Sequence, residues 1–149
     1  MSHTFVTYIG AEPSKVWEAL VKPEGTRRIF FDCVLQSDLK PGSPFAYIGP
    51  GNDGPETVHV YGEILEIEEG RKLTMLEHPG PSYYENHAEL TSRIVYTLEQ
   101  AGACTKLTLV NDQYTDNHPS EAKAVESWAV VLSSLKTYAE TGKSLDFGW

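Results

Sequence analysis

Apolar and polar residues alternate with a period of two through the middle of the chain, and with a period near 3.6 at its end. The first pattern predicts strands and the second an amphipathic helix. The β-branched and aromatic run over residues 4–9 opens with a strand. Pro13 then suits the first turn of a helix carrying Val16, Trp17 and Leu20 on one stripe. Residues 22–25 break it, and a second short helix is expected over about 24–30, ending at Phe30 and Phe31. The turn at 39–42 leads into a strand at 45–48, and the glycines and prolines of 49–55 read as a loop. A long strand over 57–67 returns over 72–78 after a turn at 68–71; a second loop spans 79–86. Two further strands, 88–99 and 104–112, flank a turn at 100–103.

From 120 to 141 there is no proline or glycine, and Gly142 stands where a helix C-cap belongs. Val125, Trp128, Leu132, Leu135 and Ala139 recur on one stripe, with Val131 and Tyr138 beside it. Some 22 residues make a rod of roughly 33 Å, enough to cross a sheet. The order of elements is that of an α+β fold. An antiparallel meander of about six or seven strands lies under one long C-terminal helix, with two short helices after the first strand. Residues 1–149 fit a single domain, with no repeat or linker.

Composition narrows the partners. Twelve basic residues against 21 acidic ones leave a net charge of −9, which repels phosphate backbones and anionic headgroups, so neither nucleic acid nor a membrane surface is expected as a partner. No stretch approaches the length of a membrane span and the start lacks signal-peptide character, so a cytoplasmic protein is expected. Cys33 and Cys104 lack metal or redox spacing and read as two reduced thiols, with a single disulfide between them as the other reading.

The segment Ile9-Gly-Ala-Glu-Pro-Ser-Lys-Val-Trp-Glu-Ala-Leu resembles the opening of the START-like (SRPBCC) superfamily, in its activator-of-Hsp90-ATPase-like branch. Lys40-Pro41-Gly42, the strand from Val60 to Ile67, Thr105 to Val110 and above all the run from Ser127 to Gly142 are similar to that branch too. The resemblance implies a helix-grip (START/Bet v 1-like) fold, a curved sheet closing on the helix around an apolar cavity. It carries no family-wide catalytic motif, so it bounds function without choosing it.

Strand parity assigns the cavity face. Ser92, Ile94, Tyr96 and Leu98 form one inward set, and Leu107, Leu109 and Asn111 the matching set of the next strand. Val58, Val60, Gly62 and Ile64 face inward with His59, Tyr61 and Glu63 outside; a bulge after Ile64 would shift the phase, since Leu65 and Ile67 are both apolar. Leu73, Met75 and Glu77 share the inner face of the return strand. Gly62 reads as a point where the helix or a ligand comes close to the sheet. The expected ligand-contact set is Phe30, Phe45, Val60, Met75, Glu77, Tyr96, Asn111, Trp128, Leu132 and Leu135, with Trp128 and Leu132 at the closest point. Against it stands ordinary core packing for the apolar members. Glu77 is the one weak catalytic candidate: a carboxyl facing an apolar cavity has a raised pKa and can act as acid or base. The plainer reading makes it a solvated strand-end residue. Tyr83 and Tyr84, in the loop 79–87, suit a lid or the interface of a homodimer, and an ordinary ordered loop is the alternative. The five histidines form no metal-ligand set, and no phosphate loop or other cofactor motif is present, so no metal or cofactor is expected. Three functions remain open. First comes binding of a small apolar or aromatic molecule in the cavity; second, a polyketide-cyclase-like enzyme using Glu77, Tyr96 or Asn111; third, a chaperone-associated interaction module, ranked last because a second domain is lacking.

Overall fold

Prolines mark the start of both short helices in the computed structural model, which describes residues 2–148. Helix α1 spans Pro13–Val21 and α2 spans Pro23–Ile29, each with proline in its first turn, where no backbone N–H is needed. They follow β1 (His3–Ile9) and precede six further strands: β2 (Val34–Ser37), β3 (Pro44–Gly51), β4 (Gly54–Glu68), β5 (Lys72–Pro79), β6 (Ser92–Ala101) and β7 (Cys104–Asp112). All seven form one antiparallel sheet in the order β1-β7-β6-β5-β4-β3-β2. Strands β2 to β7 are therefore a simple meander, and β1 closes beside β7. Helix α3 (Ala124–Thr141) lies across the sheet and packs on α1, α2 and β1. This is the helix-grip architecture.

Several boundaries differ from the sequence pattern. Strand β2 was not anticipated; its four residues are too few to show alternation. The expected loop at 49–55 is mostly strand: β3 runs to Gly51, Gly54 has φ of 99°, and Gly51 pairs with Gly54 across a tight hairpin. Strand β6 begins at Ser92 rather than residue 88, because His87–Glu89 forms a 3₁₀ turn. The C-terminal helix starts only at Ala124, after a 3₁₀ turn at Glu121–Lys123. Its 18 residues make about 27 Å. The later start moves its stripe: Ala124 is buried while Val125 is exposed. The expected cap is present, with Gly142 at φ 75° donating its N–H to Tyr138 O at 2.8 Å.

The core is a contiguous cluster in which Ile9, Val16, Leu20, Ile64, Leu73, Met75, Leu107, Leu109 and Leu135 are all closed to solvent. The bulge expected after Ile64 is there: Ile64 pairs with Met75 but Glu66 with Thr74, so Leu65 turns outward and Ile67 returns to the core side. Gly62 serves a different purpose from the expected one. A Cβ there would come within 1.9 Å of Leu76 O and 2.9 Å of Phe45 Cε2, so the glycine admits the neighbouring strand and the Phe45 ring, not the helix or a ligand.

The C-terminal half of α3 is latched to the other end of the sheet. Lys136 Nζ donates to Tyr8 O, and Glu140 Oε2 accepts from Gly10 N and from Lys136, each at 2.7 Å. The N-terminal half presents Ala124, Ser127, Trp128 and Val131, of which the first two are small, to the sheet. That is where the grip stays open.

Candidate functional site

A cavity of about 280 Å³ lies between the N-terminal half of α3 and the inner faces of β3 to β7, closed at one side by Phe30, Phe31 and Cys33 after α2. Six of the ten expected contact residues meet on its wall: Phe30, Val60, Glu77, Tyr96, Asn111 and Trp128. The other four do not. Phe45 lies over Gly62, and Met75, Leu132 and Leu135 are buried in the core, further along the same faces. Ile94, assigned to the inner face by parity though not to the contact set, also lines the cavity; sequence reasoning missed Tyr47 and Val131, along with Tyr114, Cys33 and Ala124. Tyr47 shares parity with Phe45, so the signal was present; Tyr114 sits in an irregular segment with none. A second chamber of about 240 Å³ adjoins at Glu77, His59, Val60 and Ser120 and is walled by Tyr83 and Tyr84. The roomier external groove beside α1, about 780 Å³, is lined by Glu18, Lys22 and Glu69 and holds no buried polar group to orient a ligand.

His59 was expected to point away from the sheet's inner face. It lines the cavity instead, because β4 is irregular here: Tyr47 pairs with Val60 but Ile48 with Val58, which leaves His59 as the extra residue. For the same reason Thr57, rather than Val58, is the buried residue of this stretch. Both ring nitrogens of His59 are engaged. Nε2 donates to Pro50 O at 2.9 Å, so Nδ1 accepts from Tyr83 OH at 2.6 Å. Tyr61 does face outward, stacked on His78 and hydrogen-bonded to His87.

The polar groups of the cavity form an ordered relay whose direction can be deduced. Asn111 Oδ1 accepts from Trp128 Nε1 at 3.0 Å and from Tyr114 OH. Indole nitrogen only donates, so this end of the amide is the oxygen. Asn111 Nδ2 then donates to Arg93 O at 2.9 Å and to Ser92 Oγ at 3.2 Å. All four hydrogen-bonding positions of the amide are used. Ser92 Oγ accepts there, and its own hydroxyl donates at 3.1 Å to Oε1 of the Glu77 carboxylate, which can only accept. That oxygen is an acceptor, and the second oxygen of Glu77 has no protein donor among the described residues. Burial pushes the Glu77 carboxyl up from 4.5 to about 7, the Ser92 hydrogen bond offsetting part of the rise.

Two further oxygens are uncommitted. The hydroxyls of Tyr47 and Tyr96 make no hydrogen bond among the described residues, although both side chains are more than nine-tenths buried on the cavity wall. Burial, reinforced by nearby Glu77, pushes both phenols upward, so they remain neutral hydroxyls. Burial, with Asp32 adding to it, also pushes the Cys33 thiol up to about 11, so it is a neutral, unreactive wall group. Cys33 and Cys104 are free cysteines.

The family model described as activator of Hsp90 ATPase homolog 1-like protein matches residues 10–140. The chain belongs to this family. Solved structures repeat the fold across its whole length. The solution structure of the Aha1 dimer from Colwellia psychrerythraea is 19% identical with a TM-score of 0.73, covering 97% of this chain and 99% of that one. CalU16 from Micromonospora echinospora is 21% identical with a TM-score of 0.68, covering 95% of this chain and 77% of its own. DynU16, a putative protein of the dynemicin biosynthetic locus, is 20% identical with a TM-score of 0.75; 99% of this chain matches half of that one. At such identities the likeness is one of fold. No curated protein matches the sequence. Among the described residues no helix is long and apolar enough to cross a membrane.

Proposed function

We propose that this member of the activator of Hsp90 ATPase homolog 1-like family binds a small hydrophobic or aromatic molecule in the cavity between α3 and the sheet. The observation that carries the reading is the unfinished hydrogen bonding of Tyr47, Tyr96 and Glu77 on a mostly apolar wall. Polar groups left without a protein partner on a largely apolar wall are incompletely satisfied, and a ligand that completes them gains their hydrogen bonds. The volume suits a body of one or two rings, since a cavity of about 150 Å³ already takes a benzene. Thermal melting against a library of small aromatic and apolar compounds tests it. A binder at a hundredfold excess over its Kd adds roughly 2.7 kcal/mol, and a library without any shift refutes the proposal.

A second reading makes the same cavity the active site of a polyketide-cyclase-like enzyme. It is favoured by the Glu77 carboxyl poised at about 7 with one oxygen free toward the cavity, the condition for a general acid or base near neutral pH. Under this reading Glu77→Gln abolishes turnover of an identified substrate and leaves its binding largely intact; unchanged turnover removes Glu77 from the mechanism. A chaperone-associated role ranks third, resting on the family description alone. It requires loss of partner capture on surface substitution and none on cavity substitution. We place the protein in the cytoplasm and, since a similar protein is a dimer, expect a homodimer, which light scattering checks.

A further inference from the structure

We propose that the ligand seat is built for a protonated amine carried on an aromatic body, with the ammonium against the free oxygen of Glu77 and beside the hydroxyls of Tyr47 and Tyr96. This rests on the small-molecule reading above and names its ligand class.

The argument starts from which groups remain unspent. Asn111, Ser92, Tyr114 and Trp128 are committed to one another. Beneath the helix, the sheet side of the cavity has three oxygens left to offer, all able to accept: one carboxyl oxygen and two phenols; Ser120 and Ser127 add hydroxyls from the helix side, which accept as well. An ammonium has three donors and no acceptor, so an all-oxygen seat complements it, whereas a carboxylate would meet another carboxyl and no cation. Among the described residues of the wall, Glu77 is the single Asp, Glu, Lys or Arg. The chain as a whole carries nine more acidic than basic residues, so the field at the mouth also favours a cation.

The walls point the same way. Tyr96 and Trp128 meet edge to face with centroids 6.3 Å apart, and Phe30 and Tyr47 lie 4.9 Å apart on the other side. Aromatic walls attract organic ammonium groups through their ring faces. The same rings pack against an aromatic body, and the cavity volume limits that body to one or two rings.

Among the described residues no competing cation faces Glu77. Tyr47 reaches it from β3, Tyr96 from β6 and Tyr114 from the segment after β7, all phenols pushed above their ordinary range. At the mouth His118 is pushed toward its neutral form by burial, Glu121 opposing. His59 has both nitrogens occupied, and His78, next along β5, is stacked on Tyr61. An ammonium in the seat holds Glu77 as carboxylate. Amine affinity therefore falls as pH drops through about 7, while a neutral ligand of the same shape feels little.

The test uses three compounds on one skeleton, 1-naphthylmethylamine, 1-naphthylmethanol and 1-naphthoate, by calorimetry on the full chain near pH 8 and near pH 5.5. Near pH 8 the amine is expected to bind roughly tenfold tighter than the alcohol, with the naphthoate weakest. Near pH 5.5 that preference shrinks to within about threefold. In Glu77→Gln it is lost at both pH values while alcohol binding is retained. The proposal is overturned if the wild-type protein binds the alcohol as tightly as the amine near pH 8, if the preference survives to pH 5.5, or if it survives in Glu77→Gln. In each of those cases alcohol binding still upholds the small-molecule cavity. Failure of all three compounds to bind refutes the cavity reading itself. The pH dependence is read on the wild-type protein, so the conclusion stands even if the variant folds poorly.

Discussion

Glu77→Gln isolates the cost of placing a carboxylate in the cavity. In the folded protein the carboxyl titrates at about 7 rather than 4.5, chiefly through burial. A group whose folded pKa is raised favours the fold while protonated: that contribution is complete below 4.5 and is lost as pH rises through about 7. At about 1.36 kcal/mol per pH unit the full shift would be worth roughly 3 kcal/mol. Glu77 is half-buried and opens onto the cavity, so water reaching it trims this to about 2 kcal/mol. Glutamine keeps an acceptor for Ser92 and never ionises. The variant should therefore gain about 2 kcal/mol on the wild type between pH 5 and pH 8, or roughly 4–8 °C in Tm for a chain of this size. Urea unfolding of both proteins at half-unit pH steps measures it, and titrations shared by the two cancel in the difference. A difference that stays flat within about 0.5 kcal/mol from pH 5 to pH 8 would show that the carboxyl is not desolvated. It would remove the basis for treating Glu77 as the chemical centre of the cavity.

Asn111→Ala strips four hydrogen bonds and orphans Trp128 Nε1, the Tyr114 hydroxyl and Arg93 O; urea unfolding should show a loss of about 3–5 kcal/mol, and under 1 would contradict the hub. Tyr96→Phe removes a buried hydroxyl with no protein partner and should be neutral or slightly stabilising. Tyr114→Phe, which breaks the bond to Asn111, should cost about 1 kcal/mol by the same assay. Gly62→Ala places a Cβ 1.9 Å from Leu76 O, so β4 and β5 must separate; melting should fall by at least about 5 °C, and an unchanged Tm would refute the close approach. Ala124→Leu extends a small side chain into the cavity. It should raise stability by about 1 kcal/mol while weakening any cavity ligand at least about tenfold by calorimetry.

How far the site was legible follows from what periodicity encodes. Alternation along β6 and β7 identifies which side chains face the helix, and from it Tyr96 and Asn111 fall on the cavity wall as read. Parity along β5 does the same for Glu77. Alternation says nothing of depth. Phe45 and Tyr47 share one face of β3 and both belong to the core, yet of the two Tyr47 alone reaches the cavity wall. Leu132 and Leu135 were misassigned for the same reason: the open half of the grip lies where α3 presents Ala124 and Ser127, and those residues could not be located until the true start of the helix was known. His59 was misread because a bulge reverses parity without leaving a mark in composition. The hub could not be assembled from sequence at all, since its members are drawn from β5, β6, β7, α3 and the segment after β7.

That hub does more than satisfy a buried amide. With Glu77 as carboxylate its donors run one way, from Trp128 and the amide of Asn111 through the hydroxyl of Ser92 to Glu77 Oε1, and the indole N–H fixes the orientation of the amide. While Glu77 is a carboxylate, Oε1 accepts from Ser92, and a proton gained near neutrality leaves that hydrogen bond intact when it sits on the other oxygen, the one open to the cavity. The carboxylate accepts from a ligand at that oxygen, and the neutral acid donates from it. A single atom thus carries both roles, and pH selects between them. Binding of an ammonium requires the first state and general-acid chemistry the second. Under either proposed role, the residue that orients the hydrogen-bond chain to Glu77 is Trp128 on α3, acting through Asn111.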